Sequence, residues 1–128
     1  MTHTRHYSLD EATEALPLVV ELIERMRRAR VSLTDSEARA ALSEATPTNG
    51  GGHPGRTVSE GFLELRESLV GLQAMGVVLR DLETGLVDFP SFRDGREVYL
   101  CWQEGEDEIA FWHEVDAGIA GRRPLADG

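Results

Sequence analysis

The stretch that decides the fold is VVLRDLETGLVDFPSFRDGREVYLCWQEGEDEIAFWHEV, residues 77–115. Apolar and polar residues alternate along it, and a period of two is typical of strands that bury one face. Gly85 and the pair Asp94 and Gly95 are turn signals that divide the stretch. The pattern predicts an antiparallel meander of three or four strands. These strands are expected near residues 77–80, 86–89, 97–102 and 109–113.

Successive side chains of a strand point to opposite faces of the sheet, so the same pattern predicts which residues share a face. On the third strand, Leu100 and Trp102 are expected on one face and Cys101 on the other. On the fourth strand, His113 alternates with Trp112. Neighbouring strands can therefore bring Cys101 and His113 to the same side.

Two segments upstream of the strands carry a helical period. The first begins with Ser8 and Glu11 at the spacing of a capping box, in which each side chain satisfies a free backbone N–H. Pro17 has no N–H for the helical ladder, so a kink or a restart is expected there. The apolar positions of the first seam are Ala15, Val19, Leu22, Met26, Ala29 and Leu33. Those of the second are Val58, Phe62, Leu65, Leu69 and Leu72.

Both seams have alternating steps of four and three residues, which is the heptad spacing of helices that pack side by side. They predict an antiparallel helical hairpin packed on the small sheet, an α+β domain. The whole chain, residues 1–128, is expected to be one domain. Its parts are a helical arm over 7–45, a Gly/Pro-rich linker over 46–56, a helix over 57–75 and a β-rich half over 76–125.

The charge of the chain limits its partners. With 13 basic and 23 acidic residues the net charge is −10 at pH 7, which argues against nucleic acid and anionic membrane surfaces as partners. No apolar run is long enough for a membrane span, and the N-terminus lacks the layout of a secretory signal. The single cysteine cannot form an internal disulfide. A cytoplasmic location is therefore expected.

Four residues near the predicted C-terminal hairpin are competent metal ligands. Cys101, Glu104, His113 and Asp116 follow one another with the spacing C-x2-E-x8-H-x2-D. Sulfur, nitrogen and carboxylate ligands together suit a zinc or iron ion. The spacing matches no standard zinc module. The alternative is that the cysteine is an inert buried strand residue and that the histidine is hydrogen-bonded near a sheet edge.

The same hairpin concentrates aromatic surface beside arginines, which suggests a small-ligand pocket. Trp102 and Trp112 could form its walls, and Arg122 could contact an anionic group such as a carboxylate or phosphate. Asp88 is an acid inside the apolar stretch GLVDFP, so it either faces solvent or is buried with an arginine partner. The alternative is that both tryptophans belong to the core and that the arginines pair with nearby acids.

The helices suggest a different class of function, a non-enzymatic oligomerisation or adaptor module. Leu18, Ile23, Leu63 and Val70 flank the two seams and would stay exposed if one hairpin could not cover them. An exposed apolar strip of this kind would favour a homodimer or the docking of a partner protein. The sequence does not decide between this function and a ligand or metal site, nor does it indicate a reaction.

Four segments of the chain carry a family resemblance. They are EATEALP at 11–17, GVVLRDLETGLVDFP at 76–90, REVYLCWQEGE at 96–106 and FWHEVDAGIAGRRPL at 111–125. From about Tyr7 to Leu125 the chain resembles an uncharacterised bacterial family known as domain of unknown function 2203. The resemblance implies a small cytoplasmic protein with its helices first and its signature residues last. It implies no activity and no site residue.

Overall fold

Two long helices and five short strands make up the fold, as described by a computed structural model that covers residues 3–44 and 53–127, with side chains for 3–34 and 60–126. The elements are α1 (Leu9–Glu44), α2 (His53–Met75), β1 (Val78–Asp81), β2 (Leu86–Arg93), β3 (Arg96–Gln103), β4 (Phe111–Glu114) and β5 (Arg123–Pro124). The strands form one antiparallel sheet in the order β1-β2-β3-β4-β5. This confirms the predicted α+β class.

The sheet has one strand more than the prediction allowed. Strand β5 is two residues long and pairs with β4 through Phe111 and Trp112. So short a segment has no room for the period of two on which the sequence prediction depends. Among the helices of the described residues, none combines the length and the apolar character that a membrane crossing needs.

Helix α1 begins as predicted and then continues further. The Ser8 amide donates to the Glu11 carboxylate at 2.8 Å, and the Glu11 amide donates to the Ser8 hydroxyl at 3.1 Å, so the capping box is confirmed. Of the kink or restart predicted at Pro17, the restart is wrong, because α1 runs through this residue without a break. The proline deprives only the Thr13 carbonyl of its partner, and both residues are exposed, so water can replace the lost bond.

Helix α1 packs through its predicted seam, whereas the seam of α2 is shifted by one residue from the predicted one. The α1 seam is buried as expected from Val19 to Leu33. On α2 the predicted Phe62 and Leu69 are 57% and 39% exposed, and the small residues Gly61 and Ser68 are buried in their place. A Cβ on Gly61 would lie 2.9 Å from the Leu33 side chain. The absence of that atom lets the helices approach closely.

The connector between the helices lies largely outside the described residues. The predicted linker spans 46–56, and of this range the structure describes only the part from His53, where α2 begins. The start of α2 is therefore four residues earlier than the expected start at Thr57.

One face of the sheet packs against the helices and forms the main core. Val87 and Phe89 of β2 and Leu100 and Trp102 of β3 are buried there. Trp112 of β4 belongs to the same core. We call this the helix face and the opposite one the outer face. The alternation predicted for β3 and β4 is confirmed, because it places Cys101 and His113 together on the outer face.

Candidate functional site

The strand register gathers three polar side chains at the middle of the outer face. Asp88 of β2 lies directly opposite Cys101 of β3, and His113 of β4 pairs with Tyr99, two residues from Cys101. Side chains that are opposite or diagonal on neighbouring strands are within reach of one another. Asp88, Cys101 and His113 are 1%, 0% and 2% exposed. We call these three residues the outer-face cluster.

The outer-face cluster brings together atoms that could hold a metal ion. One ligand atom from each residue can be chosen so that all three lie within 4.8 Å of one another. Over the part of the chain whose side chains are described, no other group of three or more histidine, cysteine or acidic residues meets this limit. A nitrogen, an oxygen and a sulfur ligand are thus brought together from three different strands.

Hydrogen bonds orient the His113 ring. Its Nδ1 atom lies 2.7 Å from the Glu114 carbonyl oxygen, which can only accept, so Nδ1 carries a proton. Its Nε2 atom lies 3.0 Å from Oδ1 of Asp88. In a neutral ring with this tautomer, Nε2 has a lone pair that faces the oxygen lone pairs of a carboxylate. A cation, either a proton or a metal ion, satisfies both atoms.

Arg80 holds the other oxygen of Asp88. Its Nε donates to Oδ2 at 2.8 Å, and its side chain is 42% exposed while that of Asp88 is almost fully buried. The guanidinium carbon also lies 5.0 Å from the centroid of the Tyr99 ring. Because a buried carboxylate is costly without a partner, the ion pair with Arg80 offsets part of the cost of burying Asp88.

The environment of Cys101 disfavours thiolate chemistry in the metal-free protein. Burial, and then the nearby charge of Asp88, raises the pKa of the thiol to about 12. Since the thiolate is the nucleophile, a thiol with so high a pKa is a poor one near neutral pH. A bound divalent ion reverses this situation, because a coordinated thiol loses its proton. The electrostatics of the cluster therefore disfavour nucleophilic catalysis by Cys101.

A cavity of about 220 Å³ adjoins the outer-face cluster. All three cluster residues line it, together with Arg80, Leu86, Gly118 and Ile119. Gly118 has a φ of 68°, in the region that favours glycine, and it precedes a turn of 3-10 helix over Ile119–Gly121. This segment after β4 therefore forms part of the cavity wall.

The other two residues predicted as metal ligands lie outside the cluster. Glu104 follows β3 and forms an ion pair with Arg27 of α1. Asp116 lies exposed in the turn after β4. Of the four predicted ligands, the structure thus brings together Cys101 and His113 and adds Asp88, which the sequence suggested for a ligand pocket instead.

The residues predicted to form a ligand pocket are dispersed over both faces. Trp102 is part of the main core, and its indole N–H donates to the Glu106 carbonyl at 3.1 Å. Trp112 is also on the helix face, with the guanidinium carbons of Arg93 and Arg123 at 4.8 and 5.4 Å from its ring centroid.

Arg122 lies on the outer face, where it covers the Phe111 ring at 3.9 Å. Its NH2 group also donates to both carboxylate oxygens of Glu106, at 2.9 and 3.0 Å. Of the four pocket residues, Asp88 alone lines the cavity.

The N-terminal segment, residues 3–8, is tied to the outer face beside the cluster. His6 contacts a Glu97 carboxylate oxygen through Nε2 at 2.7 Å, and the His3 amide donates to the same oxygen at 3.1 Å. The His3 ring nitrogen lies 2.6 Å from the Tyr99 hydroxyl. The Tyr99 ring in turn lies 5.3 Å from that of His113, so the segment is linked to the cluster through one aromatic ring.

Fold and cluster together define a class of protein. It is a small α+β domain with a helical hairpin on one face of an antiparallel sheet and a buried Asp-Cys-His cluster on the other. Residues 5–125 match the model of a family described as "Uncharacterized conserved protein (DUF2203)", and the chain belongs to that family. The resemblance to domain of unknown function 2203 is thereby confirmed. Neither a curated protein nor a solved structure matches the chain at a significant level.

Proposed function

We propose that the protein binds a divalent metal ion, zinc or iron, through Asp88, Cys101 and His113. The observation that carries the proposal is the convergence of three different ligand atoms within 4.8 Å inside a nearly solvent-free cluster. In a zinc site with bonds of about 2.0–2.3 Å, ligand atoms lie roughly 3.3–3.8 Å apart. Nε2 of His113 and Oδ1 of Asp88 are 3.0 Å apart and all three ligand atoms lie within 4.8 Å of one another, so small side-chain rotations can bring them to these separations.

The hydrogen bonds around the cluster support this function. The Glu114 carbonyl holds His113 in the tautomer that leaves Nε2 free to coordinate, the usual arrangement behind a metal-bound histidine. Arg80 holds one oxygen of Asp88 and leaves Oδ1 on the side of His113. Three protein ligands leave one position of a tetrahedral ion for a further ligand. The proposal replaces Glu104 and Asp116 of the sequence-based set with Asp88.

Cobalt substitution tests the proposal with an optical readout. Cobalt(II) added to metal-free protein is expected to give one equivalent of bound ion with a thiolate charge-transfer band. The variant Cys101→Ser is expected to lose that band and His113→Ala to bind more weakly, whereas Asp116→Asn keeps both properties. Absence of the band in the wild-type protein, or its persistence in Cys101→Ser, would rule out coordination by this cysteine.

A second function, self-association through α2, is favoured by the exposed side of that helix. Phe62 and Leu63 are 57% and 56% exposed, and Leu69 and Val70 lie seven residues further along. Residues seven apart share a helix side, so these four form an apolar strip next to the face that contacts α1. Apolar surface of this kind stabilises a dimer of like helices. Leu18 is also exposed, whereas the predicted exposure of Ile23 is wrong because the main core buries it.

Light scattering tests the dimer independently of the metal. A homodimer is expected in the wild-type protein and a monomer in Leu63→Glu, with Glu67→Gln on the same helix as the control. A wild-type protein that remains monomeric at high concentration would contradict self-association and leave the metal proposal unaffected.

A further inference from the structure

The cavity beside the outer-face cluster has room for more than a metal-bound water. A water molecule occupies about 30 Å³ in the liquid, so a volume of about 220 Å³ corresponds to roughly seven waters. The same space accepts an organic molecule of about six non-hydrogen atoms. Because the three cluster residues line the cavity, the fourth coordination position of a bound ion faces the cavity.

The metal-loaded cluster has a net positive charge. A divalent ion offsets the Cys101 thiolate and the Asp88 carboxylate, while His113 coordinates as a neutral ring. The guanidinium of Arg80 then leaves one unit of positive charge at the edge of the cavity. The Arg80 side chain is 42% exposed, so water screens this charge only in part. It attracts an anion and repels an amine.

The remaining walls of the cavity are apolar. Leu86 supplies this apolar surface together with Ile119 of the segment after β4, and Ile119 is 43% exposed. A Cβ built on Gly118 would meet no atom within 4 Å, so space continues along this segment. Apolar walls stabilise a hydrocarbon chain more than a fully hydrated ion such as phosphate.

Building on the proposed metal site, we propose that the cavity binds a short aliphatic carboxylate. Its carboxylate group completes the coordination of the ion beside Arg80, and its alkyl chain lies against Leu86 and Ile119. Three features carry this: the volume and the apolar walls, which are observed, and the single positive charge that a bound ion would leave. A charged head and a short apolar tail match all three, whereas an alcohol matches two and an alkylamine is repelled.

Calorimetric titration of zinc-loaded protein tests the proposal with three probes of equal chain length. Butanoate is expected to bind at one equivalent and about tenfold or more tightly than butan-1-ol, because it adds a charge-assisted contact. Butylammonium is expected not to bind. In cobalt-loaded protein, butanoate is expected to change the visible absorption bands, which would place it at the metal.

A substitution in the cavity wall tests whether butanoate binds in this cavity. Ile119→Trp fills the cavity from an exposed position, so it should weaken butanoate binding by about tenfold or more while bound zinc stays at one equivalent. Val31→Trp, at an exposed position of α1, is the matched control and should leave both unchanged. Equal affinity for butanoate and butan-1-ol, or unchanged affinity in Ile119→Trp, overturns the carboxylate proposal alone. Failure to take up any metal overturns the proposed function, and this inference with it.

Discussion

Nε2 of His113 faces Oδ1 of Asp88 at 3.0 Å, with both side chains 2% exposed or less. Nδ1 of the same ring donates to the Glu114 carbonyl, so the contact with Asp88 needs a cation between nitrogen and oxygen. Arg80 donates to the other oxygen of Asp88, Oδ2, at 2.8 Å. The sulfur of Cys101 is close enough to be a third ligand, because one atom from each of the three residues lies within 4.8 Å of the others. The predictions below follow from this arrangement and from the packing that supports it.

Removal of the Asp88 charge should destabilise the metal-free protein. Asp88→Asn keeps the size of the side chain but loses the charge-assisted bonds to Arg80 and His113, and such bonds contribute about 1.5–3 kcal/mol each. Since Arg80 is 42% exposed and the asparagine oxygen can still accept a neutral hydrogen bond, only part of this contribution is lost, and we expect the free energy of unfolding to fall by about 1–3 kcal/mol in urea denaturation. Asp116→Asn, which alters an exposed turn residue, should change it by less than about 0.5 kcal/mol. Equal effects of the two substitutions would contradict the buried network.

The Cys101 thiol should be unreactive in the folded, metal-free protein. Its pKa is raised to about 12 by burial and by Asp88, so at pH 8 only about one molecule in ten thousand carries a thiolate. Alkylation by iodoacetamide should therefore be at least about a hundredfold slower than in the protein unfolded in urea. Similar rates in the two states would show that the thiol is not shielded.

The same shift makes the stability depend on pH. The folded state holds the thiol proton more tightly than the unfolded chain, in which a cysteine has a pKa near 8.5. This contribution is fully present below about pH 8 and is lost as the pH rises toward about 12. Between about pH 8.5 and 10, before tyrosines ionise, the free energy of unfolding should fall by up to about 1.4 kcal/mol per pH unit. Cys101→Ser should lack this slope, and a slope unchanged in that variant would assign it to another group.

The close approach of the helices at Gly61 should be sensitive to added volume. Gly61→Val forces the Leu33 side chain to move, because even a Cβ would lie 2.9 Å from it. Overpacking of this kind costs about 1–3 kcal/mol, measurable by thermal or urea unfolding. Adding Leu33→Ala should recover part of the loss, which a purely local effect on α2 would not allow. Gln73→Val, at an exposed position of the same helix, serves as the control for the valine itself.

The N-terminal segment should loosen when Glu97 loses its charge. Glu97 contacts both His3 and His6, and the Tyr7 amide of the same segment donates to the Pro90 carbonyl at 2.7 Å. In Glu97→Gln we expect the exchange of the Tyr7 amide hydrogen to rise by about tenfold, corresponding to about 1.4 kcal/mol of local stability. Glu108→Gln, in the exposed turn between β3 and β4, should leave that exchange rate unchanged.

The fold was predictable where it depends on local periodicity. The period of two in residues 77–115 was sufficient to place Cys101 and His113 on one face, because alternation is a property of the strand itself. The α2 seam was not predictable in the same way. Phe62 and Leu69 have the right spacing for a seam. The side of α2 that faces α1 is instead the one with Gly61, because a residue without a Cβ lets the two helices come close together.

The candidate site was predictable only in part, since its third ligand depends on strand register. Asp88 lies opposite Cys101 because of how β2 and β3 pair, and a shift of one residue would have turned it to the helix face. Arg80 lies on β1, at an irregularity in the register between β1 and β2. Its contact with Asp88 therefore cannot be predicted from a local sequence pattern. Glu104 was wrongly included among the ligands because it is close to Cys101 in sequence. In the structure it forms an ion pair with Arg27 of α1.

The most direct test of the central claim is the amount of zinc bound per chain after equilibrium dialysis, measured by elemental mass spectrometry for two sets of variants. The account predicts one equivalent in the wild-type protein, in Glu104→Gln and in Asp116→Asn. It predicts a loss of most of the bound zinc in Asp88→Asn, Cys101→Ser and His113→Ala. No bound zinc or iron in the wild-type protein, or retention of a full equivalent in all three cluster variants, would contradict it.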